Sequence, residues 1–220
     1  MSKLNVLDLI SDKPLIANFF DYEAYVRGDL ELGLLENRRG DRLISIPDTM
    51  INALYQGLSK ETGQAARLVM INCGKWWGKS FYNRFQQSLQ DFYGIPLSEM
   101  DMLTFVRSLK EYWITHGWGK LEFDPEYRDR GLIVIKTYNS AYSRSLPGEQ
   151  RPSCFLEAGI LSSFFSRLVG RELVAVQTTC ESLGADCNHF ILGIPERLSR
   201  VEQWVLDGMS HDAIMQKLVL

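Results

Sequence analysis

The sequence lacks the features that mark several specialised classes of protein. Among its 220 residues, no uninterrupted apolar run reaches the roughly 18 residues that a membrane-spanning helix needs. The first residues hold neither the long apolar core nor the small-residue cleavage site of a secretory signal. The net charge is −3 and there is no basic cluster, which argues against the basic face of a dedicated nucleic-acid-binding protein. We therefore expect no transmembrane segment, no nucleic-acid partner and a cytoplasmic location.

Cysteine is also scarce, with four residues in the whole chain. This number excludes a disulfide-dense scaffold, and thiols in a reducing compartment stay free. Free thiols serve as small buried hydrophobic groups, as metal ligands or as reactive nucleophiles. Apolar residues make up 45% of the chain, which is enough to offset the entropy lost on ordering, so we expect a folded chain.

The spacing of the apolar residues predicts several helices, followed by a late cluster of strands. A β-hairpin near the start turns at Gly40, and Ser98 is the predicted N-cap of the helix that follows Pro96. The predicted helices span residues 48–58, 61–93, 98–113, 154–169 and 199–220, and the later strands span 119–123, 132–138, 173–178 and 190–194. This order favours an α+β fold in which an antiparallel sheet is packed with helices.

The same patterns divide the chain into one main domain and two flanking segments. We expect the domain to span residues 28–195, after an N-terminal segment of residues 1–27. A helical segment of residues 196–220 then packs on the domain or flanks it. Within the long helix we expect a bend at Gly74 or Gly78, because glycine weakens a helix interior.

Residues 154–190 form the most informative part of the sequence. The helix in this segment carries small residues on one side and large apolar residues elsewhere, which predicts close packing on nearly all sides. A strand follows, and then the spacing Cys180-x3-Gly184-x2-Cys187-x2-Phe190. Residues 150–194 together resemble the 4-vinyl reductase domain family, whose signature combines such a helix ending in Gly with a strand, a Cys, a Gly and a second Cys.

The resemblance implies a fold, a ligand and a metal. Domains of this family have an α+β fold similar to that of trafficking-complex subunits, and they are often dimeric, so we expect a homodimer. In phenol-sensing bacterial activators, the domain binds a small aromatic ligand and holds zinc through a Cys, a strand Glu and two later Cys. The matching positions here are Cys154, Gln177, Cys180 and Cys187.

One of these positions departs from the pattern, because Gln177 stands where the family has Glu. A neutral amide is a much poorer zinc ligand than a carboxylate or a thiolate. Glu181, His189 or water could complete the set, and His189 shares a strand face with Cys187. The predicted zinc ligands are therefore Cys154, Cys180, Cys187 and His189. The alternative, that the three thiols only fill the core, stays open, and Cys73 is predicted to be a core residue.

Aromatic residues and one histidine are the candidates for ligand binding. Two adjacent tryptophans in a helix cannot face the same way, so one of them is free to line a pocket. The glycines around Trp118 let a ligand approach closely, and Tyr138 ends a strand near the pocket position of the aromatic-sensing relatives. The candidates are Trp76, Trp77, Phe81, His116, Trp118 and Tyr138. The alternative for each is ordinary core packing.

Several functions remain open from the sequence. The motifs ENRRGDRL, NCGKWWGKSFY and FLEAGILSSFF are similar to stand-alone cyanobacterial members of the family, which are associated with photosystem II assembly and tetrapyrrole handling. That resemblance implies a non-enzymatic accessory protein that binds a tetrapyrrole or another aromatic molecule, with photosynthetic membrane-protein partners and a location at the periphery of the thylakoid. The alternatives are a ligand sensor that signals through a partner, a tetrapyrrole vinyl reductase, and a scaffold. A reductase is disfavoured because no dinucleotide-binding or iron–sulfur motif occurs.

Overall fold

The computed structural model describes residues 18–143 and 151–219. Most of the predicted N-terminal segment of residues 1–27 therefore lies outside the described part. The helices are α1 Tyr22–Tyr25, α2 Asp48–Thr62, α3 Ala65–Tyr93, α4 Met102–Thr115, α5 Phe155–Val169, α6 Pro195–Leu198, α7 Val201–Leu206 and α8 His211–Val219. The strands are β1 Val26–Asp29, β2 Leu34–Asn37, β3 Arg42–Leu43, β4 Lys120–Asp124, β5 Ile133–Tyr138, β6 Val174–Thr179 and β7 Asn188–Gly193.

A small antiparallel sheet lies near the start of the described chain. Strands β1, β2 and β3 pair in that order, and Arg27 is opposite Glu36. The turn between β2 and β3 is the predicted hairpin, and Gly40 adopts a φ of 80°, which glycine reaches without strain. The predicted hairpin is thus confirmed, and β1 adds a third strand on its open edge.

The main sheet is antiparallel and has the order β4-β5-β7-β6. Its two central strands pair with Ile135 opposite Phe190 and Lys136 opposite His189. A bulge between Gln177 and Thr179 interrupts the pairing of β6 with β7. Helices cover both faces of this sheet, which confirms the predicted α+β class.

Helices α3, α4 and α5 cover one face of the sheet, which we call the inner face. The core on this side is rich in aromatic rings, including Phe81, Phe85, Trp113 and Phe164, each at most 2% exposed. Side chains of β5 and β7 that point to this face, such as Ile135 and Phe190, complete the core. Most of α5 is buried, as its pattern of small and large residues predicted.

The C-terminal helices cover the opposite, outer face. Side chains from β5, β6 and β7 pack there against the three short helices, with Val201, Ile214 and Met215 fully buried. A turn that includes Gly208 interrupts the helical segment predicted over residues 199–220 and separates α7 from α8. The tail therefore packs on its own domain. Among the helices that the structure describes, none combines the length and the apolar composition needed to cross a lipid bilayer.

Two helix starts differ from the sequence-based predictions. The predicted cap Ser98 lies in a short 3-10 turn, and Asp101 instead caps α4 by accepting the N–H of Thr104. The predicted helix starting near residue 61 begins at Ala65, because α2 continues to Thr62 and Gly63 then turns the chain with a φ of 57°. Serine and aspartate are both good N-cap residues, so the local pattern alone did not distinguish them.

Glycines at the crossing of α3 and α5 have a packing role, which the sequence analysis did not predict. A Cβ on Gly74 would lie 2.2 Å from the carbonyl oxygen of Leu156, and a Cβ on Gly159 would lie 2.2 Å from that of Ile71. The two backbones are therefore in direct contact. Cys73, next to the contact face, is exposed, so its prediction as a core residue was wrong. Glycine carries no apolar signal, so the sequence pattern did not show that Gly74 lies on the contact face and the neighbouring Cys73 outside it.

Candidate functional site

A cavity of about 330 Å³ lies between the small sheet and helices α3 and α4. We call it the aromatic cavity. Its wall consists of Tyr25, Asn37, Asp41, Arg42, Leu43, Trp77, Ser80, Phe81, Arg84, Ser88, Tyr112 and His116. Ligand sites in proteins commonly have volumes of roughly 300–1,000 Å³. The cavity is therefore large enough to hold a small organic molecule.

One side of the aromatic cavity is a cluster of aromatic rings. Helix α3 presents Trp77 and Phe81, four residues apart and so on one face, with ring centroids 6.3 Å apart. Tyr112 of α4 lies 4.5 Å from the Phe81 ring. Trp118 lies behind this wall, with its centroid 4.6 Å from that of Trp77. Such a wall can stack against a flat aromatic ligand.

The other side of the cavity is polar. The Tyr25 hydroxyl is 3.4 Å from His116 Nε2 and accepts a 3.4 Å hydrogen bond from Asn37 Nδ2. His116 Nδ1 is 2.8 Å from the Tyr112 carbonyl oxygen, so Nδ1 carries the proton and Nε2 is an acceptor. Burial lowers the pKa of His116 to about 4, against a smaller upward effect of the Tyr112 carbonyl. The ring is therefore neutral at pH 7.

The charged side chains that line the cavity carry a net positive charge. Asp41 forms an ion pair with Arg84 at 3.1 Å and also accepts a hydrogen bond from Asn37 at 3.1 Å. Arg42 lines the same cavity and adds a second guanidinium. Two arginines and one aspartate favour a ligand with a hydroxyl or carboxylate substituent.

The structure brings some of the predicted ligand residues together and separates others. Trp77, Phe81 and His116 line the aromatic cavity, and Trp118 packs behind them. Trp76 is 80% exposed on the outside of α3, so the two tryptophans do face different ways. Tyr138 lies away from the cavity at the end of β5, where burial raises its pKa to about 12. Tyr25 and Asn37 were not among the predicted residues, because they are far from the others in sequence and carry no periodic signal.

Two of the predicted zinc ligands meet on the inner face of the main sheet. The Sγ atoms of Cys154 and Cys180 are 3.7 Å apart, and the two residues are 0% and 1% exposed. Gln177 Nε2 donates a hydrogen bond to Cys154 Sγ at 3.2 Å, and Asn188 Oδ1 lies 3.7 Å from the same sulfur. We call Cys154 and Cys180 the thiol pair. The two sulfurs are in van der Waals contact within a polar shell.

The two sulfurs of the thiol pair have opposite electrostatic environments. Burial raises the pKa of Cys154 well above its usual value. The hydrogen bond from Cys154 lowers the pKa of Cys180 to about 5, with further help from Ser182 and Ser143 and against the effect of burial. The arrangement therefore corresponds to one thiol that donates a hydrogen bond to one thiolate.

The other two predicted ligands lie on the outer face of the sheet. Cys187 Sγ is 3.6 Å from His189 Nδ1, and the His189 ring stacks on His211 with centroids 4.1 Å apart. Thr179 Oγ1 is 2.9 Å from His189 Nδ1. Burial lowers the pKa of His189 to about 4. Between Cys187 and His189, Asn188 points to the inner face, as alternation along a strand requires.

The four predicted ligands therefore do not form one zinc site in this structure. Within residues 18–143 and 151–219, no group of three or more His, Cys, Asp or Glu side chains is arranged to hold a metal ion. The alternative ligand Glu181 instead accepts hydrogen bonds from the backbone N–H groups of Asn139 and Ser140. The side chains present do not fit a four-ligand centre, and zinc binding stays a prediction from the sequence alone.

A buried carboxyl group lies near the thiol pair. Glu157 is 0% exposed and accepts a 2.8 Å hydrogen bond from the Ser140 hydroxyl. Burial raises its pKa to about 8, although Ser140 and Thr137 act in the opposite direction. Glu157 is therefore largely protonated at pH 7. It lies outside the aromatic cavity and belongs to the inner core.

Comparisons with known proteins find a domain-family model that matches part of the chain and a solved structure of similar fold. The family model for the 4-vinyl reductase domain matches residues 133–194. The phenol-responsive sensory domain of the transcription activator PoxR, solved with phenol, superposes with a TM-score of 0.64 at 14% identity, covering 84% of this chain and 92% of that one. At such identity, the likeness shows the fold.

Two further structures give weaker matches. A vinyl-4-reductase family protein from Methanocaldococcus jannaschii matches with a TM-score of 0.43 at 19% identity, covering 68% of this chain and 82% of that one. A trafficking protein particle complex subunit 3 from Naegleria fowleri, covalently bound to palmitic acid, matches with a TM-score of 0.49 at 12% identity, covering 66% and 91%. No curated protein sequence matches the chain.

Proposed function

We propose that the chain is a small-molecule binding protein, and that it holds a flat aromatic ligand in the aromatic cavity. The observation that carries this proposal is the combination of an aromatic wall, formed by Trp77, Phe81 and Tyr112, with the polar pair Tyr25 and His116 across a space of about 330 Å³. A flat ring can stack on the wall while one substituent meets the polar pair.

The cavity also limits the size and the charge of the ligand. Its volume is near the lower end of the usual range for ligand sites, which favours one or two fused rings over a tetrapyrrole. The neutral His116 accepts a hydrogen bond at Nε2, and Arg42 and Arg84 outnumber Asp41. A phenol or an aromatic carboxylate therefore fits better than an aromatic amine. The match to the 4-vinyl reductase domain and the fold shared with a phenol-responsive sensory domain support this class of ligand.

Calorimetric titration with named probes tests the proposal. We would titrate the full chain with phenol, benzoate, indole and protoporphyrin IX, and we expect binding of phenol or benzoate in preference to the porphyrin. Trp77→Ala removes part of the stacking wall and should weaken binding about tenfold, which corresponds to roughly 1.4 kcal/mol. Trp76→Ala is the matched control, because the neighbouring indole is 80% exposed. Equal affinities of the two variants, or no heat with any probe, would contradict the proposal.

The second part of the proposal concerns the biological role of the protein. The sequence similarity to stand-alone cyanobacterial proteins supports a role as an accessory factor in photosystem II assembly, at the periphery of the thylakoid membrane and as a homodimer. Exposed apolar side chains on α3, including Leu68 at 62% and Trp76 at 80%, offer a surface for a protein partner. Affinity purification from the native host should recover photosystem subunits, and Trp76→Ala should reduce their yield more than Trp77→Ala. Recovery of no photosystem subunit would remove this part and leave the ligand-binding proposal standing.

A further inference from the structure

We propose that the thiol pair, Cys154 and Cys180, is a redox modification site at which a peroxide converts two free thiols into a disulfide. The first observation is the contact itself, because the two Sγ atoms are 3.7 Å apart and no other side chain separates them. Both cysteines are free in this structure. This proposal is independent of the ligand that occupies the aromatic cavity.

The positions of the two cysteines allow the sulfurs to approach each other. A disulfide has an S–S length of about 2.05 Å, so the sulfurs must move together by roughly 1.7 Å. Cys154 is the N-cap residue of α5, and Cys180 follows the last residue of β6. Neither residue lies within a helix or a strand, so side-chain rotation and a small shift at the element ends can supply the movement.

A second cavity gives a small oxidant a space beside Cys154, one member of the pair. It has a volume of about 50 Å³ and is lined by Cys154 together with Arg67, Phe155, Gln177 and Val205, among others. One water molecule occupies roughly 30 Å³ in the liquid, so a space of this size accepts hydrogen peroxide. Oxidised glutathione, the disulfide of a tripeptide, is too large for it. The cavity therefore selects the oxidant by size.

The chemistry balances with one peroxide for each pair. The O–O bond of the peroxide breaks and the S–S bond forms. Each sulfur gives up one electron. The Cys154 thiol proton and one proton from solvent, which replaces the proton that Cys180 has already lost, move to the two oxygens, and two molecules of water leave. The remaining cysteines are poorly placed to compete, because Cys187 faces the opposite side of the sheet beside His189 and Cys73 is exposed on α3.

Peptide mapping after a mild peroxide treatment tests the proposal. The protein is used as purified, its metal content is measured, and samples with and without hydrogen peroxide are denatured, alkylated and digested. We expect a cross-linked peptide containing Cys154 and Cys180, loss of alkylation at these two positions, and full reversal by dithiothreitol. Oxidised glutathione at equal concentration should give far less of this cross-link.

Variants separate the pair from the other thiols. Cys73→Ser and Cys187→Ser should leave the cross-link unchanged, whereas Cys180→Ser should abolish it. If Cys180→Ser does not fold, peptide mapping of the wild-type protein and of Cys73→Ser still shows whether Cys154 and Cys180 become cross-linked. Overoxidation or glutathionylation at Cys73 with both Cys154 and Cys180 still alkylated would overturn the proposal. Zinc bound at the pair with resistance to peroxide would overturn it as well.

Discussion

The crossing of α3 and α5 gives a sharp prediction, because a single methyl group should force the two helices apart. A Cβ on Gly159 would lie 2.2 Å from the carbonyl oxygen of Ile71 and 3.0 Å from the Cα of Gly74. All of these neighbours are backbone atoms of helix α3, so they cannot rotate away as a side chain would. The helices would have to separate by about 1 Å to restore a normal contact.

The expected cost follows from two opposing effects. Overpacking of a tight core contact costs about 1–3 kcal/mol and sometimes more, and the rigid backbone neighbours place this site at the upper end. Alanine gains about 1 kcal/mol over glycine in helix propensity. We therefore expect Gly159→Ala to lower the free energy of unfolding by about 2 kcal/mol, which lowers the melting temperature by roughly 4–8 °C in a chain of this size.

A matched control isolates the steric effect from helix propensity. Gly57 lies within α2, and a Cβ there meets no atom within 4 Å. Gly57→Ala should therefore stabilise the protein by about 0.5–1 kcal/mol. Urea unfolding followed by tryptophan fluorescence measures both variants. Equal or higher stability of Gly159→Ala relative to the wild type would refute the argument.

The same contact predicts how two substitutions combine. Gly74 and Gly159 face each other across the crossing, and a Cβ on Gly74 would lie 3.0 Å from the Cα of Gly159. Once one methyl group has separated the helices, the second finds part of its space already open. The double variant Gly74→Ala with Gly159→Ala should therefore lose less stability than the sum of the two single losses. Full additivity would indicate that the two sites do not share one contact.

Three further predictions concern charge and the C-terminal tail. The folded pKa of His116 is about 4 and its unfolded pKa is near 6.5. The contribution of neutral His116 to stability is therefore fully present above pH 6.5, and the free energy of unfolding falls by up to about 3 kcal/mol as the pH drops to 4. His116→Gln should make the free energy of unfolding nearly constant across this range. The pH dependence of stability that Glu157 causes has the opposite sign, because its folded pKa of about 8 exceeds its unfolded pKa of 4.5. Stability is lost as the pH rises from 4.5 to 8, and Glu157→Gln should remove that loss in urea titrations at several pH values. Deletion of residues 199–220 uncovers buried apolar groups such as Ile191, so the truncated chain should aggregate, and a soluble, cooperatively folding truncation would contradict this.

The regular elements were predictable wherever local signals agree. Helix α5 ends at Val169 because Gly170 adopts a left-handed conformation with a φ of 69°, and the small residues along the helix indicated its burial. The strands of the main sheet were predicted to within about two residues, because apolar runs and turn residues mark them together. The order of helices and strands was then sufficient to indicate an α+β fold.

The aromatic cavity was predictable only in part. Trp77 and Phe81 lie on one helix with a spacing of four residues, so the sequence shows that they share a face. Tyr25 and Asn37 come from a different part of the chain, and only tertiary packing brings them to His116. A polar residue in a short strand carries no local sign that it faces a cavity.

The cysteine sites show a limit of the strand pattern itself. Alternation predicts that Cys187 and His189 share a face, and in the structure they do. Alternation does not show which face of the strand packs against helix α5. In the structure Asn188 points towards Cys154 at the start of that helix, while Cys187 points away from it. A shift of pairing by one residue would reverse that assignment, so three cysteines at suitable spacing do not by themselves define a ligand set.

Helix α3 contacts both candidate sites along one side. Gly74 contacts the backbone of α5, which begins directly after Cys154. Trp77 and Phe81 follow on the same side and line the aromatic cavity, and the Phe81 ring also stacks on Phe164 of α5 with centroids 4.6 Å apart. A contact between backbones has no flexible side chain that can absorb a displacement. We therefore expect a displacement at the start of α5 to reach the Phe81 ring through these two contacts.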